Sequence, residues 1–209
     1  MSPIVHVASI EPFMKSGLGK VLSIYSGSVV DIDSDAIVNA ANKTLLGGGG
    51  VDGAIHLAAG PLLLEECKTL NGCETGEAKI TLGYNLNANF VIHTVGPCLP
   101  YCLKPTNAQK QLLANCYKNS ILLMTQNHLS SIAFPCISTG VYNYPLHEAC
   151  EIAISTVFDT LKLIYKDQVT ESKTVEDIIC EHVNRIIFCG FKLNEIDELK
   201  SAANHYFSS

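Results

Sequence analysis

The stretch Asp35-Ala-Ile-Val-Asn39-Ala-Ala-Asn42-Lys-Thr-Leu-Leu-Gly47-Gly-Gly-Gly50-Val-Asp52-Gly-Ala-Ile-His56 decides the fold. It opens on a short apolar run, residues 36–39, which reads as a buried strand. It then passes through four consecutive glycines into a helix-like stretch over 51–59. A glycine run costs conformational entropy on folding, so it marks a backbone that approaches something closely or takes positive φ. The glycines also feed a helix start, where free N–H groups and the helix dipole favour an anion. Asp52 and His56 are four apart at that start and share one helical face.

Outward from this stretch, strands are expected over 21–25, 78–82, 90–95, 132–135 and 185–188, with 90–95 apolar enough to be buried on both faces. Gly60-Pro61 breaks the first helix, which resumes over 62–67; further helices are expected over 109–127, 146–165 and 195–206. Residues 166–174, polar and rich in Thr, Ser and Lys, read as an exposed loop. Strands alternating with helices imply an α/β layered fold with a largely parallel sheet. With no internal repeat and no low-complexity segment, residues 1–209 are expected to form one domain.

Composition narrows the class. The chain has 209 residues, 47% hydrophobic and 16% charged, which is too apolar for a disordered protein. A chain of this length buries about 70% of its unfolded surface, so it folds without a disulfide or metal staple. No apolar run approaches a membrane span, and the first residues lack the basic start and apolar core of a secretory signal. A soluble intracellular protein, cytoplasmic or nuclear and monomeric, is the expectation. Fourteen Lys and Arg stand against 20 Asp and Glu, for a net charge of −6, with no basic cluster. That argues against a nucleic-acid or membrane partner, because polymer phosphates are held by rows of cations. An anionic ligand would rest on backbone amides and helix ends, which points to a small phosphorylated molecule.

Nine cysteines, an odd count, are expected to be reduced and mostly buried. None forms a C-x-x-C pair. The nearest approach to a metal cluster is His93, Cys98 and Cys102, whose spacing lacks the paired-ligand pattern of structural zinc.

A second loop repeats the logic of the first. Phe134-Pro-Cys-Ile-Ser138-Thr139-Gly140-Val141-Tyr142-Asn-Tyr-Pro145 again runs from strand through a Gly-containing turn to helix. Ser and Thr can donate to phosphate, Gly permits close approach, and Tyr142 can cover a sugar. A formal G-x-G-x-x-G occurs at Gly48, Gly50 and Gly53, but eight residues separate it from Asn39, so it is not a dinucleotide fingerprint. Each residue also has an ordinary structural reading. Asp52 could only complement the helix dipole, His56 could be a packed histidine, Asn39 and Asn42 could cap or turn the chain, and residues 189–191 could be core. The coincidence of two such loops in one chain favours a binding site.

The run from Asp35 to His56 resembles the macrodomain family, in its MacroD-type branch. So do Thr75-Gly-Glu-Ala-Lys-Ile-Thr81, Val91-Ile-His-Thr-Val-Gly-Pro97 and Phe134-Pro-Cys-Ile-Ser-Thr-Gly-Val-Tyr142. The resemblance implies a three-layer α/β/α sandwich with a mixed, largely parallel central sheet that binds ADP-ribose. It also implies removal of single ADP-ribose units from acidic side chains of proteins and deacetylation of O-acetyl-ADP-ribose, without metal or redox cofactor. Carried over by position, Asn42 and Asp52 hold and polarise the attacking water, and His56 supports them. Gly49, Gly50 and Val51 give amides to the diphosphate. Ser138, Thr139, Gly140, Val141 and Tyr142 close over phosphate and distal ribose. Phe191 lies by the adenine, and Ser28, Val29 and Asn39 complete the ligand contacts. Residues 1–20 and 165–181 are expected as a flanking segment and a surface insertion.

One departure stands out. Members of the family usually carry Gly-Asp-Ile after the first core strand, with the Asp accepting from the adenine amino group; here the run is Gly27-Ser28-Val29. A charge-assisted bond becomes a neutral one, about half as strong. Asp31 and Asp33 are the nearby carboxylates. A lesser departure is Asn143, where the family often has Gly. A module that binds ADP-ribose, or another nucleotide, without cleaving it is the alternative reading.

Overall fold

In the computed structural model, which describes residues 4–101 and 103–208, six strands make one sheet. They are β1 (Leu22–Ser26), β2 (Ala36–Ala40), β3 (Ala78–Leu82), β4 (Phe90–Thr94), β5 (Ser131–Pro135) and β6 (Arg185–Gly190), in the order β1-β6-β5-β2-β4-β3. Neighbours pair in parallel except at the edge, where β3 runs antiparallel to β4. The α-helices are α1 (Gly50–Ala59), α2 (Pro61–Thr69), α3 (Asn107–Gln126), α4 (Leu146–Tyr165), α5 (Val175–His182) and α6 (Leu193–Ser208).

The central strands are apolar on both sides because both faces are covered. All five residues of β5 are buried, and β6 sends Ile186 and Phe188 into one core and Ile187 and Cys189 into the other. The first core takes Tyr117, Phe158, Ile179 and Leu199 from α3 to α6; the second takes Ile55, Leu63 and Cys67 from α1 and α2. The result is a three-layer α/β/α sandwich. Phe134 and Phe188 stack at 5.3 Å, with the Tyr117 ring tilted against both.

Two expectations change. Residues 4–20 are no mere flank: Val7 and Ile10 enter the α1–α2 core, Leu18 the other, and Val5 bridges Ile32. Nor is 165–181 only a surface insertion. It carries a short 3-10 turn, Lys166–Gln168, and then α5, whose Ile178 and Ile179 are buried against α4. A capping box starts that helix, with Thr174 accepting from the Asp177 amide and Asp177 from the Thr174 amide.

The eight described cysteines are all free. Burial pushes the thiols of Cys67, Cys73 and Cys116 up to about 11, so they stay protonated and unreactive. No helix among the described residues is long and apolar enough to cross a membrane.

Candidate active site

The carboxyl ends of β1, β2, β5 and β6 open on a cavity of about 730 Å³, where ligands of open α/β sheets sit. Both glycine-bearing loops line it: Asn42, Gly48, Gly49, Gly50, Val51 and Asp52 on one side, and residues 135–142 on the other. Gly27, Ser28 and Val29 close one end, with Phe191 and Glu195. The charged side chains lining it are the carboxylates Asp52 and Glu195, with no Lys, Arg or His among them. An anion there must therefore be held by amides.

The first loop supplies them. Gly50 takes φ +61°, which turns the chain into α1, and Gly49 caps the helix with no side-chain bond. The first intrahelical bond is made by the Gly53 amide to Gly49, so the amides of Gly50, Val51 and Asp52 lack a helical partner. A Cβ at Gly49 or Gly50 would meet nothing within 4 Å; the backbone is bare to the cavity. Gly53 is glycine for packing, since a Cβ there would lie 2.6 Å from the Gly48 carbonyl.

Asp52 is 3% exposed yet lines the cavity. Its Oδ1 accepts from the Asn39 amide nitrogen at 2.7 Å and lies 3.5 Å from His56 Nε2. Its Oδ2 faces Gly48, where a Cβ would sit 2.9 Å from that oxygen and 3.2 Å from the Asn42 amide nitrogen. Asn42 spends much of its amide on its own loop. It donates to the Gly47 carbonyl and accepts from both the amide and the hydroxyl of Thr44, which leaves one N–H to spare.

On the other side, Ser138 takes φ +66° and is 7% exposed, with its hydroxyl unpartnered. Gly96 lets it fit, because a Cβ there would overlap Ser138 Oγ. Thr139 bonds back to the Cys136 carbonyl, and the Leu99 amide donates to the Tyr142 carbonyl. Asn143 takes φ +57°, the left-handed region, in which Asn ranks next after Gly. At the far end, the Glu195 carboxylate accepts from the amides of Phe191 and Lys192 and holds the turn that carries Phe191.

Several expected site residues sit elsewhere. Asn39 is fully buried and does not line the cavity; it stands behind Asp52, bonded to it and to His93. His56 lies behind Asp52 and beneath Gly47, its Nε2 buried without a hydrogen bond, so it touches the carboxylate rather than a ligand. Phe191 is not core: it is 81% exposed, while Phe188 and Cys189 are buried. Asp33 is spent on His6 and the Val7 amide, and Ser28 accepts weakly from the Val30 amide. In the zinc trio, Cys98 is exposed and His93 fully buried, and Cys102 lies outside the described residues. Burial, then the charge of His56, lower the His93 pKa to about 3, so the ring is neutral. Sequence reasoning passed over Glu195, though a glutamate at the third helical position is half a capping box. It also passed over Gly96, whose role depends on a contact 42 residues away.

With this geometry in place, the relatives decide the family. A Macro domain profile matches residues 38–153. The chain belongs to the Macro domain family. This macrodomain is 47% identical over 196 residues to the mouse protein named ADP-ribose glycohydrolase MACROD2, covering 94% of this chain and 38% of that one. It is 54% identical over 151 residues to a macro domain-containing protein of Methanosarcina mazei, covering 72% of this chain and 78% of that one. The Trypanosoma brucei macrodomain solved in complex with ADP-ribose superimposes with a TM-score of 0.82 at 37% identity, covering 97% of this chain and 78% of that one. The chain spans 38% to 42% of the length of its MACROD2 relatives and 53% to 67% of its MACROD1 relatives.

Proposed function

We propose that this macrodomain binds ADP-ribose and hydrolyses single ADP-ribose units from acidic side chains of proteins, with O-acetyl-ADP-ribose as a second substrate. One observation carries the reading: a buried carboxylate, Asp52, stands in the same helical turn whose free amides line the cavity. An anion seat and a base one residue apart suit a substrate whose diphosphate adjoins its reactive sugar. The trypanosomal relative solved with ADP-ribose, and the mouse relative named a glycohydrolase, support it.

The diphosphate rests on the amides of Gly50 and Val51 and on the 138–142 turn, where Ser138 keeps a hydroxyl to donate. Phe191 offers its exposed ring to the adenine. The distal ribose then lies over Gly48, beside Asp52 Oδ2 and the spare N–H of Asn42. A water held between these two groups attacks the anomeric carbon, the bond to the acyl oxygen breaks, and the protein carboxylate leaves as a stable anion. Asp52 takes the proton of the water. Positioning the water against the anomeric carbon supplies most of the acceleration. Asn39 and His56 hold Asp52 from behind and meet no substrate.

The test is release of free ADP-ribose from a glutamate-linked mono-ADP-ribosylated protein. Turnover supports the hydrolase; binding of ADP-ribose by calorimetry without turnover makes this chain a reader of the mark.

A further inference from the structure

We propose that His93 is a positioning residue for this hydrolysis, acting on Asp52 through Asn39; the inference rests on Asp52 being the carboxylate that activates water. Four side chains from three strands and a helix form one buried chain. The Thr81 hydroxyl donates to the Leu82 carbonyl at 3.2 Å, so its oxygen is free to accept the Nε2–H of His93 at 2.9 Å. That bond sets the tautomer. With the proton on Nε2, Nδ1 is bare and accepts one N–H of Asn39 at 3.1 Å. The other N–H of the same nitrogen goes to Asp52 Oδ1 at 2.7 Å.

Direction is what this chain imposes. Turning the Asn39 amide over would set its oxygen against two acceptors, the lone pair of His93 Nδ1 and the Asp52 carboxylate. The amide is therefore held with nitrogen forward, even though its own oxygen is buried without a partner. Thr81, His93 and Asn39 are all essentially inaccessible, so water cannot substitute for a missing link. Asp52 Oδ1 is tied to the sheet and Oδ2 is left facing Gly48 and the cavity. The groups around Asp52 are His56 on its own helix, Cys67 from α2, Tyr142 from the second loop, and His93 behind Asn39.

His93 has a competing use. With His56 and Cys67 it places three ligand atoms within 4.8 Å of one another, and Cys67 Sγ is 3.7 Å from His93 Nε2. A cation there would need the lone pair of Nε2, moving the ring proton to Nδ1 and against the N–H of Asn39. The tautomer that Thr81 sets opposes this, and the Cys67 thiol is protonated. The relay accounts for every polar atom of the ring; the metal site does not.

The experiment compares wild type, His93→Phe and His93→Asn for ADP-ribose affinity by calorimetry and for release of ADP-ribose from a glutamate-modified protein. His93→Phe removes the acceptor for Asn39 at similar volume; His93→Asn puts an amide oxygen close to where Nδ1 stood. Expected are a kcat lowered some 10- to 100-fold in His93→Phe with Kd within about twofold, as for lost outer-sphere partners, and recovery of most of kcat in His93→Asn. If His93→Phe does not fold, Thr81→Val, nearly isosteric, frees the tautomer and should lower kcat at unchanged Kd. An active wild type with undiminished His93→Phe, or with both His93 variants equally impaired, overturns the relay alone. A wild type that binds ADP-ribose but releases none overturns the hydrolase reading and the relay with it.

Discussion

Gly48 shows how one missing atom makes room for chemistry. A methyl there would crowd Asp52 Oδ2 at 2.9 Å and the Asn42 nitrogen at 3.2 Å, and the atoms it would meet first all belong to side chains. Gly48→Ala should therefore fold, bind ADP-ribose within about tenfold of wild type, and lose at least tenfold more in kcat; equal losses in both would mean that Gly48 serves only the seat. Ser28 is the other informative position. It lines the cavity, and among the described residues its hydroxyl is engaged only by the Val30 amide at 3.5 Å. Ser28→Asp should tighten ADP-ribose binding roughly five- to thirtyfold, the worth of about 1–2 kcal/mol from a charge-assisted bond; calorimetry showing no gain would remove Ser28 from the base-binding end. Asp52, Ser138 and Tyr142 were legible as residues because glycine loops flank them. Asn39 was legible as a polar residue ending a strand, but its side-chain direction was not. A strand alternates, and Asn39, next to last in β2, faces the α1–α2 layer while Ala40 lines the cavity.

At the scale of elements, the loops are only as well placed as the strands that carry them. β2 and β5 pair through few residues, and a side-chain clamp reinforces them where they begin. Asp35 accepts from the amides of Ser130 and Ser131 and the Ser130 hydroxyl, while its own amide donates to Ser131 Oγ. Burial acts to raise this carboxyl, but the bonds from Ser130 and Ser131 outweigh it and the net shift is downward. Asp35→Asn keeps the shape and can keep an oxygen toward the three donors, which all fall on Oδ2, but it turns charge-assisted bonds into neutral ones. It should cost about 1–3 kcal/mol in urea unfolding, with kcat of the surviving folded protein unchanged. An unchanged midpoint would show the clamp to be redundant. Most elements could be read ahead because their periodicity and breakers agree; Gly60-Pro61 separates α1 from α2 as expected. The α5 helix could not, because half of its eight residues are polar and only Ile178 and Ile179 are buried, with Val175 and Cys180 half-buried at the edge of the core. Its one clear signal was the Thr174–Asp177 capping box.

For the whole molecule, the buried polar chain links activity to acid stability. His93 titrates near 3 when folded against an ordinary 6.5, so between those values the unfolded chain binds a proton that the folded one refuses. Its neutral burial is fully tolerated above pH 6.5, and stability declines as pH falls from 6.5 toward 3, by up to about 1.4 kcal/mol per pH unit. The depressed Asp35 adds to the loss only at the lower end, below its ordinary 3.8. Urea midpoints at pH 7.5, 6 and 5 should fall for the wild type and fall less for His93→Asn; parallel curves would place the titration elsewhere. The sandwich itself was legible from alternating strands and helices. The second core's dependence on residues 4–20 was not, since that segment has little periodicity and is tied down by scattered contacts: the Val5–Ile32 bridge, the buried Val7, Ile10 and Leu18, and bonds from Asp33 and Arg185. The hydrolase reading turns most directly on Asp52→Ala, assayed beside the wild type for ADP-ribose affinity and for release of ADP-ribose from a glutamate-linked mono-ADP-ribosylated protein. The predicted result is near-normal affinity with turnover lowered by two orders of magnitude or more. A variant that turns over like the wild type, or that loses binding as completely as turnover, would contradict it.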